Sequence, residues 1–248
     1  MIFSIFSSGY TVVQAIIIAV CYIVFIVISM TLHEYAHAYV AYKCGDSTAK
    51  YNGRTTLNPL AHFDLVGFVM LLLIGFGFAK AVPVNFSNLR KRRYLFAVAV
   101  AGVTVNLILA FILSFFAALI GRAYESSGSD LAGVFEYAFY LGAVLNISLF
   151  VFNLLPIYPL DGFRVVESFA SDNNRYVRFM RRYGFMVLVA LLAWSFVLGF
   201  VMQYFPNSAN ILQYFDIIGF LVGNASGYIL QGLLMLWQAA GVFTLNIG

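Results

Sequence analysis

Two of the three histidines in this 248-residue chain stand four apart, in His33-Glu34-Tyr35-Ala36-His37. On a helix, positions i and i+4 lie about 40° apart around the axis, so both imidazoles share a face, and Glu34 falls within about 100° of His33. Two neutral imidazoles suit Zn2+, and a carboxylate beside them can take a proton from a water. Hydrolysis is the chemistry that H-E-x-x-H spacing serves. The bland alternative is a histidine pair and a glutamate satisfied by water at a helix end. Against it, Glu34 lies in an apolar run, where a carboxylate is costly and marks a functional site by default.

A catalytic zinc takes three protein ligands. The best third candidate is Asp161, in Asn153-Leu154-Leu155-Pro156-Ile157-Tyr158-Pro159-Leu160-Asp161-Gly162. Pro156 and Pro159 interrupt a helix and let the carboxylate turn inward. The alternative reading of Asp161-Gly162 is a plain turn. Asn106 and Asn153 lie in apolar runs, where an amide needs partners. They either contact a substrate backbone or a developing oxyanion, or they join helices. His62 reads as structural, the alternative being a group that supports the metal site or contacts substrate; Asn58 and Asn85 are predicted to be turn residues, and the arginine runs to face lipid headgroups. Cys21 and Cys44 are predicted to be unpaired thiols.

The elements that must position these groups are membrane spans. Hydrophobic residues make up 62% of the chain and charged residues 10%, where a soluble domain carries about 25% charged. The expected fold is an all-α polytopic membrane protein with five to six transmembrane helices. Long apolar runs cover Tyr10–Val40, Tyr94–Ile120, Leu131–Leu155 and Tyr183–Phe205. A last run, Ile211–Phe243, is interrupted by glycines and reads as one kinked helix or two. Leu65–Phe78 is short for a span and suits a re-entrant or partly immersed segment. The polar stretch Lys43–Asp64 reads as a small loop or strand region, with Tyr51, Thr55 and Thr56 suited to an edge strand. The N-terminus lacks the charged start of a cleavable signal, so the first run is expected to be retained.

Thirteen of the 14 Lys and Arg fall in three loops. They are Lys43, Lys50 and Arg54; Lys80, Arg90, Lys91, Arg92 and Arg93; and Arg164, Arg175, Arg178, Arg181 and Arg182. Only Arg122 lies in another loop, beside Glu125 and Asp130. The positive-inside rule puts the three basic loops in the cytoplasm and the N-terminus outside. The first run and Leu131–Leu155 then both travel inward, so His33, His37 and Asp161 meet near the cytoplasmic face, below the membrane surface. Basic charge of this kind points to an anionic leaflet and not to nucleic acid.

Four motifs in order resemble one family. They are His33-Glu34-Tyr35-Ala36-His37; Leu57-Asn58-Pro59-Leu60-Ala61-His62; Ala79-Lys80-Ala81-Val82-Pro83-Val84-Asn85; and Asn153-Leu154-Leu155-Pro156 with Pro159-Leu160-Asp161-Gly162. Together they resemble the site-2 protease family of intramembrane zinc metalloproteases, over about Thr31–Val166. The chain looks most like compact bacterial or archaeal members that carry neither a PDZ domain nor a regulatory soluble domain. Two departures stand out: Val103 replaces a proline after Gly102, and Ala81 stands where a proline is usual. The resemblance implies Zn2+ held by His33, His37 and Asp161, with Glu34 as catalytic base. It implies a transmembrane protein substrate cut near the cytoplasmic side of a prokaryotic cell membrane. The whole chain, 1–248, is expected to be one protease domain, with 31–166 as catalytic core and 183–248 as accessory helices. A metal-ion transporter and a non-catalytic homologue that binds membrane partners are the alternatives; oligomeric state is open.

Overall fold

Apolar runs bounded by polar caps fold here as long helices, because a segment in lipid must satisfy its backbone groups internally. The computed structural model describes residues 5, 9–74, 77, 79–89, 91–171, 173–206 and 209–242. Among the described residues five helices are long and apolar enough to cross a membrane: α1 (Val12–Lys43), α3 (Arg92–Ser127), α4 (Asp130–Asn153), α6 (Arg175–Tyr204) and α7 (Ile217–Ala239). Two shorter helices matter to the site, α2 (Leu65–Ile74) and α5 (Asp161–Phe169).

Local signals set the ends. Thr11 and Gln14 form a reciprocal capping box that starts α1. Gly128, at φ 62°, closes α3 in the left-handed conformation that favours glycine. Only Gly128 and Ser129 separate α3 from α4, so the two must run antiparallel.

The core is α1, α3 and α4. Of their most apolar stretches, 39%, 39% and 44% of residues are buried, against 11% in α6 and α7. Ile18, Tyr22 and Ile26 of α1 pack against Val134, Leu141 and Leu145 of α4. Small residues let the backbones approach, as membrane helices require. Ala99, Ala101, Ala110, Ala117 and Ala118 of α3 are buried, as are Ala138 and Ala143 of α4. A Cβ on Gly142 would lie 2.8 Å from the Phe25 ring, so this glycine seats an aromatic of α1. α7 is tied to the core where Trp237 Nε1 donates to Ser114 Oγ at 2.9 Å.

Several expectations are refined. The last apolar region forms one long helix, α7, preceded by short turns at Ala209–Leu212 and Gln213–Phe215, so the candidate spans among the described residues number five. The expected partly immersed segment is helical over Leu65–Ile74; its end at Phe78 lies outside the described residues, as do Arg90 and residues 243–248. The region after α1 is a loop with two helical turns, Thr48–Tyr51 and Pro59–His62, and no strand forms among the described residues. The edge-strand expectation for Tyr51, Thr55 and Thr56 is therefore corrected: Asn58 caps the Pro59–His62 turn through Leu60 N–H at 3.0 Å, and Tyr51 closes the other turn. Local capping outweighs the β preference of isolated threonines.

Candidate metal centre

His33 and His37 sit ten and six residues before the end of α1 at Lys43. At 1.5 Å per residue, His33 lies about 15 Å back from that end, within the span. The turn after α4 brings Asp161, the first residue of α5, against them. His33 Nε2 and His37 Nε2 are 3.1 Å apart. Asp161 Oδ2 lies 3.2 Å from His37 Nε2 and 3.4 Å from His33 Nε2.

This triangle fits a metal better than it fits hydrogen bonds. Tetrahedral zinc with ligands at about 2.0–2.1 Å places its donors about 3.3–3.4 Å apart, close to the three spacings observed. His37 Nδ1 donates to the Val98 carbonyl at 2.8 Å. In the neutral ring that bond leaves Nε2 as a bare lone pair facing the other donors. Three acceptor-type atoms converging on one point repel unless a cation joins them.

α3 supplies the wall. A Cβ on Gly102 would lie 2.3 Å from His37 Nε2 and 2.6 Å from His33 Cε1. The missing side chain is the space the donor atoms use. Four residues further along α3, Asn106 is fully buried with neither amide atom partnered among the described residues.

Glu34 is held by the stretch after α2: Val82 N–H donates to Glu34 Oε2 at 2.9 Å. That stretch is pinned in turn. Lys80 N–H donates to the His62 carbonyl at 3.0 Å, and Arg54 donates to the Lys80 carbonyl. Asp46 accepts from Asn85 N–H at 2.7 Å and from Asn88 Nδ2 at 2.8 Å.

The other candidates separate. Asn153, at the end of α4, donates from Nδ2 to its own helix at Leu149 O, 3.0 Å away. His62 stands apart from the triangle; it is buried, and its Nε2 lies 2.9 Å from the Thr56 carbonyl. Asn58 and Asn85 cap turns, as their type predicts. Cys21 and Cys44 are free. Two arginines assigned to headgroups face protein instead: Arg164 and Arg181 both pair with buried Glu167 of α5, at 2.7 and 2.6 Å. Asp46 and Glu167 carry no motif signal of their own, because their roles depend on contacts between distant segments; Val82 and Gly102 lie in stretches that carry the family resemblance, but their contacts with Glu34 and the histidine pair are not legible there.

The model for peptidase family M50, the site-2 protease family, matches residues 21–132 and 120–194. The chain belongs to this family. It is a multi-pass membrane metalloprotease. It is 42% identical over 175 residues to the "Putative zinc metalloprotease YwhC" of Bacillus subtilis, covering 68% of this chain and 78% of that protein. It is 30% identical over 171 residues to the "Putative zinc metalloprotease Rip2" of Mycolicibacterium smegmatis, covering 66% and 63% of the two chains. The Rip2 protein of Mycobacterium tuberculosis H37Rv is 35% identical over 148 residues, or 56% of this chain and 53% of its own. The chain thus spans less than two thirds of the mycobacterial relatives. No solved structure matches. The first M50 segment contains the histidine pair and Gly102, and the second contains Asp161 and Glu167.

Proposed function

We propose that this M50 protein is an intramembrane endopeptidase that cuts transmembrane helices of other proteins near the cytoplasmic side of the cell membrane. The observation that carries the reading is the three-donor triangle within the span of α1, with Glu34 next to it in sequence and in space. Zinc is the metal. His33, His37 and Asp161 would hold it, and once bound it supplies a Lewis acid beside the scissile bond. Every other part belongs to the chain. The Val82 N–H fixes Oε2 of Glu34, leaving Oε1 to take a proton from the attacking water and return it to the leaving amine. Asn106 and Asn153 are the side chains offered to the substrate backbone; Asn106 has no competing partner among the described residues. A helical substrate hides its carbonyls in its own hydrogen bonds, so it must unwind locally before it reacts. Residues 31–166 form the catalytic core in this reading, and the helices after residue 183 are accessory.

A transport pathway would string metal donors across the bilayer. Among the described residues one such group occurs, at one depth. The test uses the full chain in liposomes with a transmembrane peptide. Cleavage is expected with zinc and none with chelator. Glu34→Gln should keep stoichiometric zinc and lose about 10²–10⁴-fold in rate. Full activity in that variant removes Glu34 from the chemistry. Asp161→Ala should lower zinc content; unchanged stoichiometry would point to another third ligand.

A further inference from the structure

At the other end of the three-helix core lies a cavity of about 360 Å³ that plays no part in the metal centre. Tyr124 is 22 residues beyond Gly102 on α3, or about 33 Å along the helix, so the cavity opens at the opposite membrane face. Its wall is made by Tyr10, Tyr124, Tyr137 and Tyr140, with Gln14, Asp130 and Glu136. Tyr10 and Tyr137 rings are 5.5 Å apart, and Tyr137 stacks on Tyr140 at 6.2 Å.

The lining is built by reciprocal glycines. A Cβ on Gly133 of α4 would lie 3.2 Å from the Tyr124 ring of α3, and a Cβ on Gly121 of α3 would lie 3.0 Å from Glu136 Oε1 of α4. Each helix omits a side chain where the other presents a lining group. Four tyrosines and two carboxylates gathered in one cavity attract one kind of ligand, an organic cation. Among the described residues neither Asp130 nor Glu136 has an ion pair, and no Lys or Arg lines the cavity. The nearby Arg122 is engaged with the Gly241 carbonyl. A zwitterionic lipid headgroup would bring its phosphate against these carboxylates with no cation to meet it. A lysine or arginine side chain brings no such anion.

We propose that this tyrosine- and carboxylate-lined cavity binds a basic side chain of another polypeptide at the face of the membrane opposite the metal centre. The site stands whether or not the metal centre cleaves transmembrane helices. The volume lies in the range of small-ligand sites, about 300–1,000 Å³.

The test titrates the zinc-loaded full chain, labelled with 3-fluorotyrosine, in phosphatidylglycerol nanodiscs. The probes are N-acetyl-lysinamide, N-acetyl-argininamide and the neutral N-acetyl-norleucinamide, and the Tyr137 fluorine resonance is assigned with Tyr137→Phe. Saturable shifts are expected with the two cationic probes only. Glu136→Gln should weaken binding by roughly tenfold while leaving zinc stoichiometry unchanged. If that variant loses zinc, Asp130→Asn takes its place with the same expectation. Equal response to the norleucine probe, or none to any, would overturn the site and leave the tyrosines as interfacial anchors. Loss of the titration in nanodiscs containing phosphatidylethanolamine would overturn the polypeptide assignment and give the cavity to a lipid amine.

Discussion

Gly102 decides how closely α3 can approach the histidine pair. Any side chain there would collide with ring atoms of His37 and His33 at 2.3–2.7 Å, and the His37 ring is held in place by the Val98 carbonyl. Gly102→Ala should therefore reduce zinc stoichiometry strongly while retaining helical content. Metal analysis and far-ultraviolet circular dichroism of the purified variant check this; full zinc occupancy would mean that α1 and α3 can separate without cost. Val103, where the family usually has proline, is buried at 2% exposure, and α3 continues through it as regular helix.

At the scale of elements, two buried carboxylates fasten the pieces that surround the centre. Glu167 joins α5, which begins with Asp161, to Arg181 of α6, and also binds Arg164. The Arg164 guanidinium in turn lies 4.3 Å over the Phe86 ring, in the turn following the Val82 stretch. Glu167→Ala removes both ion pairs and loosens α5. Zinc affinity should fall about 10-fold or more, as for other groups that orient ligands, measurable by competition with a chelator; unchanged affinity would make Glu167 irrelevant to Asp161. Asp46 performs the second fastening. Burial raises its carboxyl, but hydrogen bonds from Thr48, Asn88 and Asn85 outweigh this and hold it below the ordinary value. A carboxyl depressed in the folded state adds stability above its unfolded pKa of about 4, and that stability drains away as pH falls through the folded value. In Asp46→Asn the difference from wild type in resistance of the 46–88 region to protease should be present at pH 7 and shrink below about pH 4, read by limited acid-stable proteolysis. A difference independent of pH would count against an ionised Asp46.

The whole molecule has two unlike ends. The metal centre lies toward the ends of α1 and α4 that adjoin the basic loops, and the tyrosine-lined cavity toward the acidic α3–α4 connection. With cysteines introduced singly at Ser47 and at Ser129 in a background lacking Cys21 and Cys44, a membrane-impermeant maleimide applied to whole cells should label only the Ser129 position. Labelling of Ser47 alone would invert the orientation and place the proposed cleavage outside. The helices α6 and α7 touch the core at fewer points, and α7 lies beyond the segment matched to the M50 model. Trp237→Phe, which removes the bond to Ser114, is expected to cost about 1 kcal/mol and to leave zinc content unaltered, by thermal unfolding and metal analysis.

Spacing and hydropathy alone determined the helical, multi-span character, the shared face of His33 and His37, and, through the charge of the loops, the prospect that Asp161 comes to the same end. These are properties of one segment or of the order of segments, and a linear pattern carries them. The last region, undecided between one helix and two, needed the folded chain, since glycines in a membrane helix are tolerated where neighbours or lipid allow and do not by themselves mark a break. The edge strand read at Thr55 and Thr56 failed because two turn caps on either side claimed the backbone first. The closeness of the three donors, the role of Gly102 as open space, the Val98 carbonyl behind His37, and the hold of Val82 on Glu34 were decided only by tertiary structure. Each is a contact between residues 48 to 124 positions apart or a surface where no atom stands, and neither leaves a period or a composition for the sequence to display.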